Sequence, residues 1–217
     1  PLATEVLRTS INTFIVAICS SFVAMTLGCL AAYSLTRFRF QKISNDSISF
    51  YVLSQWFLPA AAAIIPYYLI MRTLGLLDTI LGLVIVHSVG NTPFVIWLMK
   101  EYFAEMPVEV EESALVDGCS YLDAFIRIVL PLCAPGLAVV FLFCFVLSWN
   151  EFLYALILGY TNVRTMSVFL SGVVGRTGTF WYEMCALATI SMIPPMITGF
   201  LIQKWIVRGL TFGAVKG

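Results

Sequence analysis

Charge is what this chain has least of. Only 11% of its 217 residues are Asp, Glu, Lys or Arg, while 60% are apolar, the net charge is zero and the mean hydropathy is +0.95. A soluble domain of this size needs a far more charged surface, so the composition points to an all-α integral membrane protein. There is no basic excess to hold a nucleic acid and no glycine-rich phosphate loop, so no nucleotide-binding domain is expected within the chain and any energy source must sit elsewhere. The six cysteines (Cys19, Cys29, Cys119, Cys133, Cys144, Cys185) show no CxxC spacing and lie mostly in apolar runs, where they read as small hydrophobes, with no disulfide, metal site or cofactor implied.

What is abundant is apolar sequence in blocks of membrane-spanning length. A bilayer core of about 30 Å needs about 20 apolar residues in a helix. Five windows qualify: 12–35, 48–71, 79–99, a fourth that begins near Leu130 or Leu137 and ends near Leu158, and 182–207. The first is about twice the length of a signal-peptide core and lacks a cleavage pattern, so it reads as a span, and the start at Pro1 without a methionine suggests that something upstream is missing. Eight of the twelve basic residues (Arg37, Arg39, Lys42, Lys100, Arg127, Lys204, Arg208, Lys216) fall on one side of these spans. By the positive-inside bias that side is the cytoplasm, which places the C-terminus and residues 101–129 there and Pro1 outside. Prolines within the spans leave carbonyls four residues earlier unpaired, Pro93 that of Val89 and Pro194 that of Ile190, and predict kinked or broken helices.

Seven of the twelve acids (Glu101, Glu105, Glu109, Glu111, Glu112, Asp117, Asp123) crowd into residues 101–123, on the side where a plain loop would favour Lys and Arg. Locally the stretch predicts two short helices. Pro107 suits a first helical position, Glu109, Glu111 and Glu112 stand near the positive end of the helix dipole, and Gly118 supplies the stop. Ser120 and Asp123 resemble a capping box opening a second helix, in which Leu122, Phe125, Ile126 and Val129 form one apolar stripe. Pro131 and Pro135 then turn the chain into the fourth span. A charged helical hairpin with an apolar stripe is shaped to be received by another protein. The plainer reading, a helix lying on lipid, fits less well because such helices are usually basic.

The run "EESALVDGCS", followed by "IVLP", resembles the EAA loop of ABC-importer transmembrane subunits: Glu112-Ser113-Ala114, Gly118, and Ile128 to Pro131, with Ser113 in place of the usual alanine. The runs "AAYSLTRFRF", "LGLLDTILGLVIVH", "SWNEFLYALIL" and "VRGLTFGAVKG" are similar to the maltose-type carbohydrate and polyol branch of that family. The resemblance covers nearly the whole chain from Asn12, read as one transmembrane domain with a coupling loop at 101–129 and a tail at 208–217. It implies that Glu111, Glu112, Ser113, Ala114, Asp117, Gly118, Tyr121 and Phe125 form the coupling contact with an ATP-binding subunit, with Arg208, Gly209 and Lys216 as a second contact from the tail. Two such subunits would bind ATP and Mg. A homologous second permease would complete the pathway, and an extracytoplasmic solute-binding protein would touch residues 159–181. The expected setting is the bacterial inner membrane. Members of the branch usually have six spans, so five here imply that the first is missing.

Asn150 and Glu151 stand out in the fourth span, since a carboxylate inside a bilayer normally faces a cavity or a polar partner. With Trp149 and Tyr154, whose ring faces suit sugars, they form a candidate wall of the solute path; the alternative is an internal hydrogen bond locking that helix to a neighbour. His87, the only histidine, is expected to be a hydrogen-bonded bundle residue. From a different class, a proton-driven secondary transporter using Glu151 would show inverted repeats and a self-contained path, and a non-transporting scaffold would not need the hairpin.

Overall fold

A computed structural model describes residues 2–173 and 181–213, with side chains described for 3–172 and 181–203. Among the described residues the chain is helical throughout, without strands. α1 (Leu2–Arg37), α4 (Ile80–Ala104) and the apolar part of α11 (Trp181–Gly213) are each long and apolar enough to cross a membrane. Between the first two, α2 (Asn45–Trp56) and α3 (Ala60–Thr73) form one span bent by 89°, because Pro59 at the N-cap of α3 cannot continue α2. After α4 come α5 (Val108–Val116), α6 (Tyr121–Ala124), a π-helical turn at Phe125–Val129 and α7 (Leu130–Leu132). The chain turns 80° at Cys133 into α8 (Ala134–Asn150), between Pro131 and Pro135 as the sequence predicts. α9 (Leu153–Leu158) and α10 (Met166–Val173) lead to α11. Counting each bent pair as one span gives five.

α1 lies against α4 and α8, and α8 against α11. The approach of α1 to α4 is set by small side chains: Ala17, Ser21, Ala24, Gly28 and Ala32 recur at three- and four-residue spacing on one face, all buried. In lipid, where tails are as apolar as leucine, close backbone approach is what holds helices together. A Cβ on Gly28 would lie 2.5 Å from Val95 Cγ1, which shows how tight the crossing is. At mid-height a polar knot ties α1, α4 and α8 together. Ser20 and Ser148 share a hydrogen bond of 2.9 Å, Asn91 Nδ2 donates to Ser148 Oγ at 2.9 Å, and Ser88 Oγ donates to the Ser20 carbonyl at 3.2 Å. Large apolar side chains such as Phe22, Leu27, Phe50, Ile65 and Phe200 remain exposed around the helices, as a lipid-facing surface requires.

At the end of the bundle where α3 meets α4, Asp78 adopts a left-handed backbone (φ 57°) and its carboxylate gathers a separate loop. The backbone N–H groups of Thr161, Asn162 and Val163 donate to it at 2.8 to 3.1 Å, as does Asn162 Nδ2 at 3.0 Å. Burial pushes the carboxyl up, but the backbone donors of Asn162, Val163, Thr161 and Tyr160 outweigh it and hold Asp78 below the ordinary carboxylate range. Arg8 donates to the Asn162 carbonyl at 2.8 Å and Asn12 to that of Arg164 at 3.2 Å, fixing the start of α1 to the same loop.

Candidate functional site

Two regions bring chemistry-bearing residues together, one at each of the structural breaks. The first is the acidic hairpin. Pro107 is the N-cap of α5, one position before that predicted, and α5 ends in a Schellman motif: Cys119 N–H donates to the Ala114 carbonyl and Gly118 N–H to that of Leu115. This requires the left-handed conformation that Gly118 supplies, at φ 89°. The capping box forms as read, with Asp123 N–H donating to Ser120 Oγ at 3.1 Å and Ser120 Oγ donating to the Asp123 carboxylate at 2.6 Å. That hydroxyl, first among the causes, keeps the Asp123 carboxyl below its ordinary value.

The apolar stripe is where the sequence reading needs correction. Phe125 and Val129 point into the core, whereas Leu122 and Ile126 are more than half exposed. The π turn at 125–129 adds a residue to the helical repeat, so a stripe drawn at 3.6 residues per turn splits onto two sides. The coupling residues divide in the same way. Glu111, Ala114 and Phe125 are buried, while Glu112, Ser113, Asp117, Gly118 and Tyr121 are exposed. Glu111 is only 4% exposed and is fully engaged: Tyr33 Oη donates to Oε2 at 2.8 Å, and Arg37 Nε donates to Oε1 at 2.7 Å while its Nη2 contacts the same oxygen. Phe125 packs on Tyr33 with ring centroids 4.6 Å apart. The outer face of the hairpin thus presents Glu112, Asp117 and the exposed apolar residues Val116, Tyr121, Leu122 and Ile126.

The second region is a cavity of about 530 Å³ between the α2–α3 bend, α4 and the break between α8 and α9. Gln55, Trp56 and Tyr67 come from either side of the α2–α3 bend, His87 and Asn91 from α4, and Ser148, Glu151 and Tyr154 from either side of the α8–α9 break. Glu151 does two things. Its carboxylate caps α9, accepting the N–H groups of Tyr154 and Ala155 at 2.9 and 3.0 Å, and it lines the cavity. Its hydrogen bonds thus lock α8 to the next helix of the same chain, while the carboxylate also faces the cavity. His87 differs from its sequence reading. Its side chain is 1% exposed and its Nε2 lies 3.4 Å from Glu151 Oε2, yet neither ring nitrogen makes a hydrogen bond. Its Nε2 and the carboxylate flank the same space.

Tyr154 lines the cavity as predicted, edge-on to Tyr67 at 5.5 Å. Trp149 and Asn150 do not. Trp149 is buried against Phe145 and donates to the Ser191 carbonyl of α11 at 3.1 Å, and Asn150 bonds back to the Val146 carbonyl at 2.9 Å on an exposed face. Helical spacing explains the split: on α8 and its extension only every third or fourth residue, here Ser148 and Glu151, faces one direction. Sequence reasoning missed Gln55, Tyr67 and Asn91 as cavity residues; the signal available was polar side chains flanking a proline break. Arg208 and Gly209 lie in α11, but their side chains, like all of Lys216, are outside the described residues, as are residues 174–180 of the loop assigned to a binding protein.

Residues 24–212 match the protein family described as "Binding-protein-dependent transport system inner membrane component". The chain is 34% identical over 207 residues to the inner membrane ABC transporter permease protein YcjP of Escherichia coli, covering 95% of this chain and 73% of that one. It is 31% identical over 208 residues to the trehalose/maltose transport system permease protein MalG of Thermococcus litoralis, with 95% and 74% covered. The diacetylchitobiose uptake system permease protein DasC of Streptomyces coelicolor is 32% identical over 207 residues, again with 95% and 74% covered. Among solved structures, a bacterial ABC transporter that imports the acidic polysaccharide alginate shares the fold with a TM-score of 0.76 at 24% identity, covering 92% of this chain and 75% of that chain.

Proposed function

Because this chain belongs to the family of binding-protein-dependent transport system inner membrane components, we propose that it is one permease subunit of an ATP-driven importer for a sugar, oligosaccharide or polyol. The observation that carries this reading is the hairpin, which fastens one face to the bundle through Glu111 and turns the other, with Glu112, Ser113, Asp117 and Tyr121, outward. Two separate ATPase subunits holding ATP and Mg would receive that outer face on the cytoplasmic side, with the tail from Arg208 as a second contact. Their closure would tilt the hairpin, and the spans would alternate between inward and outward access around a fixed site. A second permease would close the pathway, and a solute-binding protein would load it from outside. The family membership leaves a proton-driven mechanism through Glu151 without support.

The solute class is supported by the cavity and by the names of two relatives, MalG and DasC. Half-helices ending at a cavity, one carboxylate, the His87 imidazole 3.4 Å from it and the faces of Trp56, Tyr67 and Tyr154 suit a polyhydroxylated ligand: hydroxyls bond to the polar groups and C–H faces lie on the rings. In proteoliposomes holding the whole importer, uptake should require ATP and the binding protein. Glu151→Gln should raise the half-saturating solute concentration about tenfold, as expected for loss of one charge-assisted hydrogen bond, with basal ATP hydrolysis retained. Uptake driven by a proton gradient without ATP would overturn the proposal.

A further inference from the structure

We propose that the buried triad of Tyr33, Arg37 and Glu111 is the joint through which movement of α5 passes to α1 and, along α1, to the loop at residues 160–165. The inference rests on the reading that α5 takes up the stroke of an ATPase subunit, and it concerns where that stroke goes next.

α5 is a nine-residue helix whose backbone packs chiefly on its continuation in α6 and the π turn. Of its side chains only Glu111 makes a hydrogen bond outside the helix; the Ser113 hydroxyl bonds back to the Val110 carbonyl. Glu111 is therefore the single polar attachment of α5 to the spans, and both of its oxygens are held by α1. Arg37 Nη2 also reaches the Met106 carbonyl at 3.4 Å, so the same guanidinium holds the segment entering α5. Buried at 10% and 6% side-chain exposure, the pair is shielded from water and salt, and its geometry is fixed by two donors on one oxygen and a third on the other. Tyr33 is packed in turn by the rings of Phe103 and Phe125 at 6.0 and 4.6 Å.

α1 is suited to carry that movement. It runs 36 residues without an internal proline, about 54 Å at 1.5 Å per residue, whereas α4 and α11, which continue through their prolines without the breaks expected from sequence, contain Pro93 and, in α11, Pro194 and Pro195. At its far end it holds the loop bound by Asp78: Arg8 on the Asn162 carbonyl, Asn12 on that of Arg164, and Thr13 Oγ1 accepting Met166 N–H at 2.8 Å. One continuous helix thus connects the hairpin with the loop at residues 160–165.

The test uses the assembled importer. Replacing a buried ion pair by apolar side chains of similar size is often neutral for stability, so Arg37→Met with Glu111→Leu removes the joint while leaving the fold. The double variant should co-purify with the ATPase subunits as the wild type does and hydrolyse ATP at a basal rate within about twofold of it, while solute moved per ATP falls at least tenfold. Arg37→Lys, which keeps the charge and loses the two-point hold, should give an intermediate ratio. Wild-type transport per ATP in the double variant, or in Arg37→Lys should the double variant fail to insert, overturns the proposal. So does loss of co-purification in the double variant, which would make the triad part of the docking surface. Failure of the wild-type chain itself to bind the ATPase subunits would instead strike the reading of α5 as a docking helix.

Discussion

Asp78→Asn lowers the stability of the detergent-solubilised protein by about 2 kcal/mol, because an amide nitrogen then faces the Asn162 N–H donors in place of an acceptor and the remaining oxygen accepts the others without a charge. Asparagine tolerates the left-handed backbone at this position (φ 57°), so the change isolates the carboxylate from backbone strain. The depressed acidity of Asp78 gives the effect a pH signature with a definite sign. A carboxyl held below its unfolded value contributes its full stabilisation above the ordinary carboxylate pKa and loses it as the pH falls through the lowered folded value. Thermal melts of the wild type should therefore drop on acidification below about pH 4, and those of Asp78→Asn should drop less. Equal melting temperatures at neutral pH would show that the clamp on residues 160–163 carries no weight.

Gly28→Leu should be at least as damaging. At Gly28 even a Cβ would meet Val95, a β-branched side chain buried on α4, at 2.5 Å from its Cγ1 and 2.6 Å from its Cβ. The leucine cannot be accommodated by a rotamer change, so α1 and α4 must separate, opening contacts along a stripe from Ala17 to Ala32 and straining the Ser20, Ser88, Asn91 and Ser148 knot. A loss of about 3 kcal/mol or more is expected, read as a lowered melting temperature and reduced yield of inserted protein. The same change at Gly90, where an added Cβ meets nothing within 4 Å, should be tolerated and serves as the control.

The spans were legible because a bilayer imposes a length on apolar runs, and the hairpin because seven acids in 101–123 broke a charge rule. Caps and stops were legible too, since Ser120, Asp123 and Gly118 act on backbone groups within a few residues. The sequence could not show which of Glu111 and Glu112 turns inward, because that depends on where Arg37 lies, 74 residues away. It could not show the π turn either, which splits the Leu122, Phe125, Ile126 and Val129 stripe by adding a residue to the repeat. The cavity was half legible. Glu151 was identified by the cost of a carboxylate in lipid and Tyr154 by a ring face that suits sugars, but Gln55 and Asn91 enter it only because the α2–α3 bend lies against α4. Asp78 lay inside the run "LGLLDTILGLVIVH" but no local pattern marked it as a clamp; its role comes from a loop more than 80 residues distant.

The central claim is that the outer face of α5 and the turn after it meets an ATPase subunit. A photo-crosslinking amino acid placed singly at Glu112, Ser113 and Asp117, with Tyr51 on the exposed face of α2 as control, tests it in membranes containing the whole importer. The account predicts crosslinks to the ATPase subunit from all three hairpin positions and none from the control. Crosslinks only to lipid, or none at all, from positions 112, 113 and 117 would contradict it.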